Sequence, residues 1–380
     1  MALKYQDLLT AVNVVVNGGN VPNIVGTAGI GKSALVADLA RQNGAKLFTT
    51  VVSLAEKGDL AIPVPPLTSD SFIDTKHYGR IADVQFGYSH TLIEIIQFAE
   101  AHPDRPVYWF LDEFNRGSQA VQSELMNLVL QRQINSLRLP TQVHIIIAEN
   151  PDATMTGFEN STYSVMSGDD AIKDRTVRLV MRADVSDWLT WAQRTHQIHP
   201  LIINYLKLHP EMLNQINGND DIMPTPRAWQ RLSDNYQQLL KLDSTTRAAI
   251  QLDIFAGDVG VAVATALNTY LQQQDQTQIA KRLFDPENAN TVADFVKLDE
   301  VDKVEIIKAH LQQTDSWTPT LISRLNQFMP HINPDGQYAC AHQMINNAAR
   351  LDELYQLAMN GDANSQSLYQ QLQQIGIDNL

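Results

Sequence analysis

Gly26-Thr27-Ala28-Gly29-Ile30-Gly31-Lys32-Ser33 decides the fold. It follows a β-branched run, Asn23-Ile24-Val25, and opens a segment, Lys32 to Arg41, in which Leu35, Val36, Leu39 and Ala40 share one helical face. Strand, glycine loop and helix stand in the order that a phosphate-binding loop requires. Gly26, Gly29 and Gly31 let the backbone curl so that successive N–H groups of Thr27, Ala28, Ile30 and their neighbours face an anion beside a helix start. Lys32 adds a point charge for the β and γ phosphates, and Ser33 a hydroxyl for Mg2+.

Working outward, residues 1 to 183 alternate short apolar runs with helical patterns, which predicts a parallel sheet covered by helices. Strands are expected at Asn23–Val25, Lys46–Leu54, Val107–Leu111, Val143–Ala148 and Val177–Met181, five in all. Helices are expected between them, at Thr91–Ala101, with Thr91 and Glu94 as a capping box, and at Ser118–Gln131. The stretch from about 56 to 88, with Pro63, Pro65, Pro66, Phe72, Tyr78 and Phe86, breaks that rhythm. It is a long insertion, open to two readings: a substrate or pore element, or an ordinary surface elaboration.

Val107-Tyr108-Trp109-Phe110-Leu111-Asp112-Glu113 is an apolar strand ending in two carboxylates. Alone, such an end is more often a turn than a site. After a phosphate loop it becomes the second nucleotide motif, with Asp112 holding magnesium, mostly through water, and Glu113 polarising the attacking water as general base. Val143 to Ala148 leads to Glu149-Asn150-Pro151, where Asn150 can contact both a phosphate oxygen and that water; alone it is an ordinary turn asparagine. The chain has no Asn-Lys-x-Asp motif for guanine, which favours ATP over GTP.

From Asp184 the strand runs stop. Asp184–Gln197, Pro200–Leu208, Pro226–Leu242 and Thr246–Gln274 are helical in pattern, giving a helical domain over 184–275. Residues 276–380, rich in Gln and Asn, form a further helical extension without recognisable chemistry. The lone cysteine of the 380 residues, Cys340, can form no internal disulfide, and Cys340-Ala341-His342 lacks the ligands for a zinc site. His196, His199 and His209 likewise lack a metal pattern. A net charge of −14 argues against a surface that grips nucleic acid. No apolar run approaches the ~20 residues of a membrane span, and with no export signal in Met1 to Thr10 a cytoplasmic location is expected.

With the phosphate loop, Asp112-Glu113-Phe114-Asn115-Arg116 and Ala148-Glu149-Asn150-Pro151 in order, the chain resembles the MoxR-type branch of the AAA+ ATPases. Val121-Gln122, Leu139-Pro140, Asp187-Trp188-Leu189-Thr190-Trp191-Ala192 and Pro224-Thr225-Pro226-Arg227-Ala228-Trp229 agree with it, and the likeness spans about residues 20 to 235. It implies an α/β P-loop AAA+ core with a five-stranded parallel sheet, an all-α lid and a helical C-terminal extension. It further implies Asn150 as a sensor residue, Arg227 as the lid arginine contacting the γ phosphate, and Arg175 as the finger reaching into a neighbouring subunit's site. The family usually follows that arginine with Phe where this chain has Thr176, and Arg178 lies close enough to compete for the role. Surface pairing remains the alternative for Arg175, and a plain helix-start position the alternative for Arg227. An arginine supplied in trans implies a homo-oligomeric ring, usually a hexamer, in which Arg116 and Glu124 could serve the interface. Members of the family commonly remodel a protein client, often one bearing a von Willebrand factor A domain. A nucleotide-gated scaffold with little turnover and a DNA-acting AAA+ motor are the competing expectations.

Overall fold

A computed structural model describes residues 2–66, 68, 71–153, 155, 158, 170–214, 221–314, 316–345 and 348–378. The chain divides into two compact units, Met1–Ala264 and Thr265–Leu380.

The first unit is built on a six-stranded parallel sheet. Its strands are β1 (Ala2–Leu3), β2 (Val21–Val25), β3 (Lys46–Val51), β8 (Val107–Asp112), β11 (Val143–Glu149) and β12 (Thr176–Met181), in the spatial order β1-β12-β2-β11-β8-β3. Five of these, β12, β2, β11, β8 and the edge strand β3, are those expected from their apolar runs. The sixth, β1, has only two residues, too few to show any periodicity. It is held by pairing of Ala2 with Val180 and Leu3 with Met181.

Parallel strands buried on both faces have near-continuous apolar sequences, as β8 and β11 do, whereas β3 at the sheet edge and β12 carry exposed positions. On one face α1 (Tyr5–Asn17) and α2 (Lys32–Gln42) press Leu8, Val12, Leu35 and Leu39 onto Ile24, Phe110 and Ile146. On the other, α3 (His90–Ala101) and α4 (Gln119–Gln131) press Ile95, Leu125 and Leu128 onto Trp109, Leu111 and Ile147. The start of α3 departs from expectation. Its cap is Ser89, whose hydroxyl accepts from the Leu92 N–H, so the helix begins before Thr91.

The 56–88 insertion carries two short antiparallel pairs, β4 (Ala61–Val64) with β7 (Gln85–Tyr88), and β5 (Phe72–Thr75) with β6 (Gly79–Ala82). Tyr78 is 83% exposed, and Phe72 and Phe86 are also exposed, so these pairs lack the one-sided burial that would give an alternating pattern. A further two-residue hairpin, β9 (Gln133–Ile134) with β10 (Leu137–Arg138), follows α4.

The short helix α5 (Asp170–Arg175) leads into β12, and the rest of the unit is helical: α6 (Val185–Thr195), α7 (Pro200–Leu208), α8 (Pro226–Leu239) and α9 (Ser244–Val259). The single helix expected over 246–274 is two, because Gly260 at φ +83° ends α9 before α10 (Val261–Leu283) begins. The positive φ is one that only glycine adopts without penalty.

The second unit gathers Phe295, Leu325, Phe328, Leu354 and Leu368 into its own core, with Cys340 buried inside it. Burial pushes the Cys340 thiol up to about 12, which suits a small apolar filler and not a reactive group. Among the described residues no helix is long and apolar enough to cross a membrane.

Candidate active site

The glycine loop leaves β2 in the interior of the sheet. The ends of β11 and β8 lie one and two strands away on the same side, where parallel α/β sheets place their ligands. Gly29 and Gly31, at φ +73° and +110°, give the loop its curl. A Cβ on Gly29 would stand 2.7 Å from Thr225 Oγ1, the hydroxyl that caps α8. The Arg227 N–H donates to the Gly29 carbonyl at 3.1 Å, so the loop is seated directly against the start of that helix.

Side chains from three strand ends meet here. Lys32 Nζ donates to the Gly26 carbonyl at 2.5 Å, to the Thr27 carbonyl at 3.2 Å and to Asn150 Oδ1 at 3.0 Å. Ser33 Oγ donates to Asp112 Oδ2 at 2.7 Å. Asn150 is itself fixed: its N–H donates to Asn115 Oδ1 at 3.1 Å, and its carbonyl accepts from Asn115 Nδ2 at 2.7 Å. This reciprocal pair is buried, so the residue after β11 cannot turn without breaking two hydrogen bonds. Asn115 stands in the Asp112-Glu113-Phe114-Asn115-Arg116 motif, but its grip on Asn150 is a contact across 35 positions that carries no local sequence signal.

Glu113 sits in the left-handed region at φ 54°, uncommon for a residue with a side chain. Its carboxylate accepts from Ser53 Oγ at 2.5 Å and faces Arg116 at 3.6 Å. Ser53 lies in a short 3-10 turn, Val52–Leu54, directly after β3, where the sequence pattern predicts a strand continuing to Leu54. Glu124 accepts from the Gly58 N–H at 2.9 Å, which ties α4 to the base of the insertion.

Arg227 is gathered at the loop, while Arg175 is not. Thr176, the residue after Arg175, pairs with Val21 at the far end of β2. Six residues of strand separate Arg175 from Met181, roughly 20 Å at 3.3 Å per residue. Arg175 is exposed at the end of α5. Arg178 differs: it pairs in register with Asn23, and its charge helps to hold down Glu149. Burial is the larger effect and raises that carboxyl, which accepts from Asn23 Nδ2 at 2.9 Å.

The loop fits a polyphosphate. Ser33 and Asp112 supply hard oxygen donors for Mg2+ within hydrogen-bond distance of each other. Among the described residues Thr27 Oγ1 is buried without a hydrogen-bond partner, a group left for a ligand to satisfy. Burial, above all, lowers the Lys32 ammonium from 10.5 to about 8; Asp112 opposes the shift and the cation of Arg227 adds to it. A phosphate at Nζ would favour the protonated form again, so the complex would hold the proton to higher pH than the free chain does. Affinity is then level below pH 7 and falls toward about tenfold per pH unit above pH 8. Calorimetric titration with ATP in buffers of different ionisation enthalpy reads that proton uptake, and an affinity flat across this range would contradict it.

Beside the loop opens a cavity of about 360 Å³, walled by Ile30, Met181, Trp188 and Trp191 and reached by Tyr5 and Asp38. Apolar and aromatic walls with a few polar groups are what a nucleoside base requires. Only Arg227 among the expected site residues outside the loop borders it. Its other polar lining comes from the chain start, from α2, from the β12–α6 connection at Arg182 and Asp184, from α6 and from Gln230 on α8.

No protein-family model matches the chain, and no curated protein matches it in sequence. Among solved structures it is similar to NtrX from Brucella abortus, at 13% identity over 80% of this chain and 68% of that one, with a TM-score of 0.37. It is also similar to a mutant of RuvB from Thermotoga maritima, at 14% identity over 83% of this chain and 91% of that one, TM-score 0.36. The RuvB Holliday junction branch migration motor of Thermotoga maritima gives 14% identity, 83% and 90% coverage and a TM-score of 0.34.

Proposed function

We propose that this chain is an ATPase of the AAA+ class and of its MoxR-type branch, binding ATP with Mg2+ and hydrolysing it. The observation that carries the reading is the meeting of Lys32, Ser33, Asp112 and Asn150 at one glycine loop, through the 3.0 Å and 2.7 Å contacts. Lys32 and the loop N–H groups would hold the β and γ phosphates, and Ser33, with Asp112 through water, would hold Mg2+. The metal, when bound, supplies positive charge against the phosphate oxygens. Glu113 orients the attacking water and accepts its proton, while Asn150, kept rigid by Asn115, positions water and phosphate together. Arg227, seated on the loop through its own N–H, couples the helical part of the unit to the phosphate end.

In this reading Arg175 serves a neighbouring copy, since it lies far along β12 from its own loop, and the working form is a ring, by family resemblance a hexamer. The same resemblance supports a protein client, with von Willebrand factor A domain proteins as first candidates. Measuring ATP turnover against protein concentration, with an Arg175→Ala chain mixed in, tests the ring: poisoning of wild-type turnover supports a finger in trans, and simple dilution contradicts it.

One observation favours the scaffold reading, in which ATP is bound and turned over slowly. The Glu113 carboxylate is engaged by Ser53 and Arg116. If that contact restrains the base, Ser53→Ala raises the basal rate by roughly two- to tenfold, the worth of one hydrogen bond. A fall in rate would show instead that Ser53 holds Glu113 in its working position.

A further inference from the structure

We infer that Asp38 is the group that reads the base of the bound nucleotide, by accepting a hydrogen bond from an exocyclic amine. The inference rests on the nucleotide reading of the loop and adds to it the residue that selects adenine.

Asp38 lies on α2, the helix whose first residues are Lys32 and Ser33. Ala34 and Asp38 are four positions apart and therefore on one face, and both line the cavity beside the loop. From Ser33 to Asp38 the helix advances roughly 8 Å at 1.5 Å per residue. A nucleoside whose phosphates sit at the helix start and whose ring lies against Trp188, Trp191 and Ile30 would thus bring the far edge of its base to this carboxylate.

The carboxylate is held in place. Tyr5 Oη donates to Asp38 Oδ2 at 2.8 Å and Arg41 Nη1 donates to Asp38 Oδ1 at 2.6 Å, while the Tyr5 N–H donates to Asp187 Oδ2 at 2.8 Å. Tyr5 is thereby tied to both α2 and α6, and burial beside Asp38 raises its phenol, keeping it a donor. The other two carboxylates lining the cavity lie at the start of α6 and not along α2: Asp187 accepts from the Tyr5 N–H, and Asp184 accepts from the Ser186 N–H and pairs with Lys4. An ionised carboxylate only accepts, so Asp38 favours the amine of adenine, gains nothing from a purine without that amine, and opposes a carbonyl oxygen in its place.

The test compares three triphosphates by titration calorimetry on the full chain: ATP, purine riboside triphosphate, which lacks only the amine, and GTP. The wild-type chain is expected to bind ATP roughly ten- to a hundredfold more tightly than either. Asp38→Ala is expected to bring ATP and purine riboside triphosphate together, while Tyr5→Phe, which keeps the carboxylate, retains the preference. Because the readout is a ratio within each protein, a general loss of stability does not imitate it. Equal binding by the wild type, tighter binding of GTP, or an unchanged preference in Asp38→Ala overturns the role of Asp38 and leaves the nucleotide reading intact. Absence of binding for all three in the wild type overturns both.

Discussion

Glu113→Gln is expected to lower the rate of ATP hydrolysis by about 10²- to 10⁴-fold, the usual contribution of a positioned general base. ATP affinity is expected to change little. The amide has nearly the shape of the carboxylate but cannot take a proton from water. The phosphate contacts belong to other residues: Lys32 reaches Asn150 and the loop carbonyls, and Ser33 reaches Asp112. None of those contacts passes through Glu113, whose partners are Ser53 and Arg116. Single-turnover phosphate release and nucleotide titration on the same preparation separate the two effects. Full activity in the variant would remove Glu113 from the chemistry, and loss of binding would give it a structural role.

Lys32→Ala is expected to do the reverse. Lys32 is 8% exposed, and its ammonium is turned onto two loop carbonyls and Asn150. Removing one partner of a buried charge pair costs about 2–5 kcal/mol, so ATP affinity falls by roughly thirty- to several-thousandfold. Stability without nucleotide moves little or rises, since burial disfavours this charge and has lowered its pKa to about 8. Thermal unfolding with and without ATP reads both quantities. A variant that still gains stability from ATP as the wild type does would contradict the phosphate-loop role.

What was legible in the sequence was local. Eight contiguous residues carry the loop, and its glycines stand where positive φ is needed, at Gly29 and Gly31. The buried strands announce themselves because a parallel strand covered on both faces is apolar throughout, as in Val107 to Leu111. What was not legible depends on partners distant in sequence. Ser53 meets Glu113 across 60 positions, and Tyr5 meets Asp187 across 182. Strand β1 is specified by its neighbour β12 and not by its own two residues. Within the insertion, Pro63 argues against a strand, yet it occupies one in a two-stranded pair, where a missing donor is tolerated. Of the expected arginines, Arg227 lies at the loop and Arg175 far from it; spacing alone could not separate them, because the distance follows from the register of β12 on β2.

Whether the chain is an ATPase that works as an assembly is decided by steady-state phosphate release from ATP and Mg2+ by the wild-type chain, measured over a range of protein concentration. Release is expected to saturate with ATP, to vanish in Lys32→Ala and Glu113→Gln, and to rise per chain as assembly proceeds. Nucleotide bound at these concentrations with no release above that of the two variants would contradict that expectation.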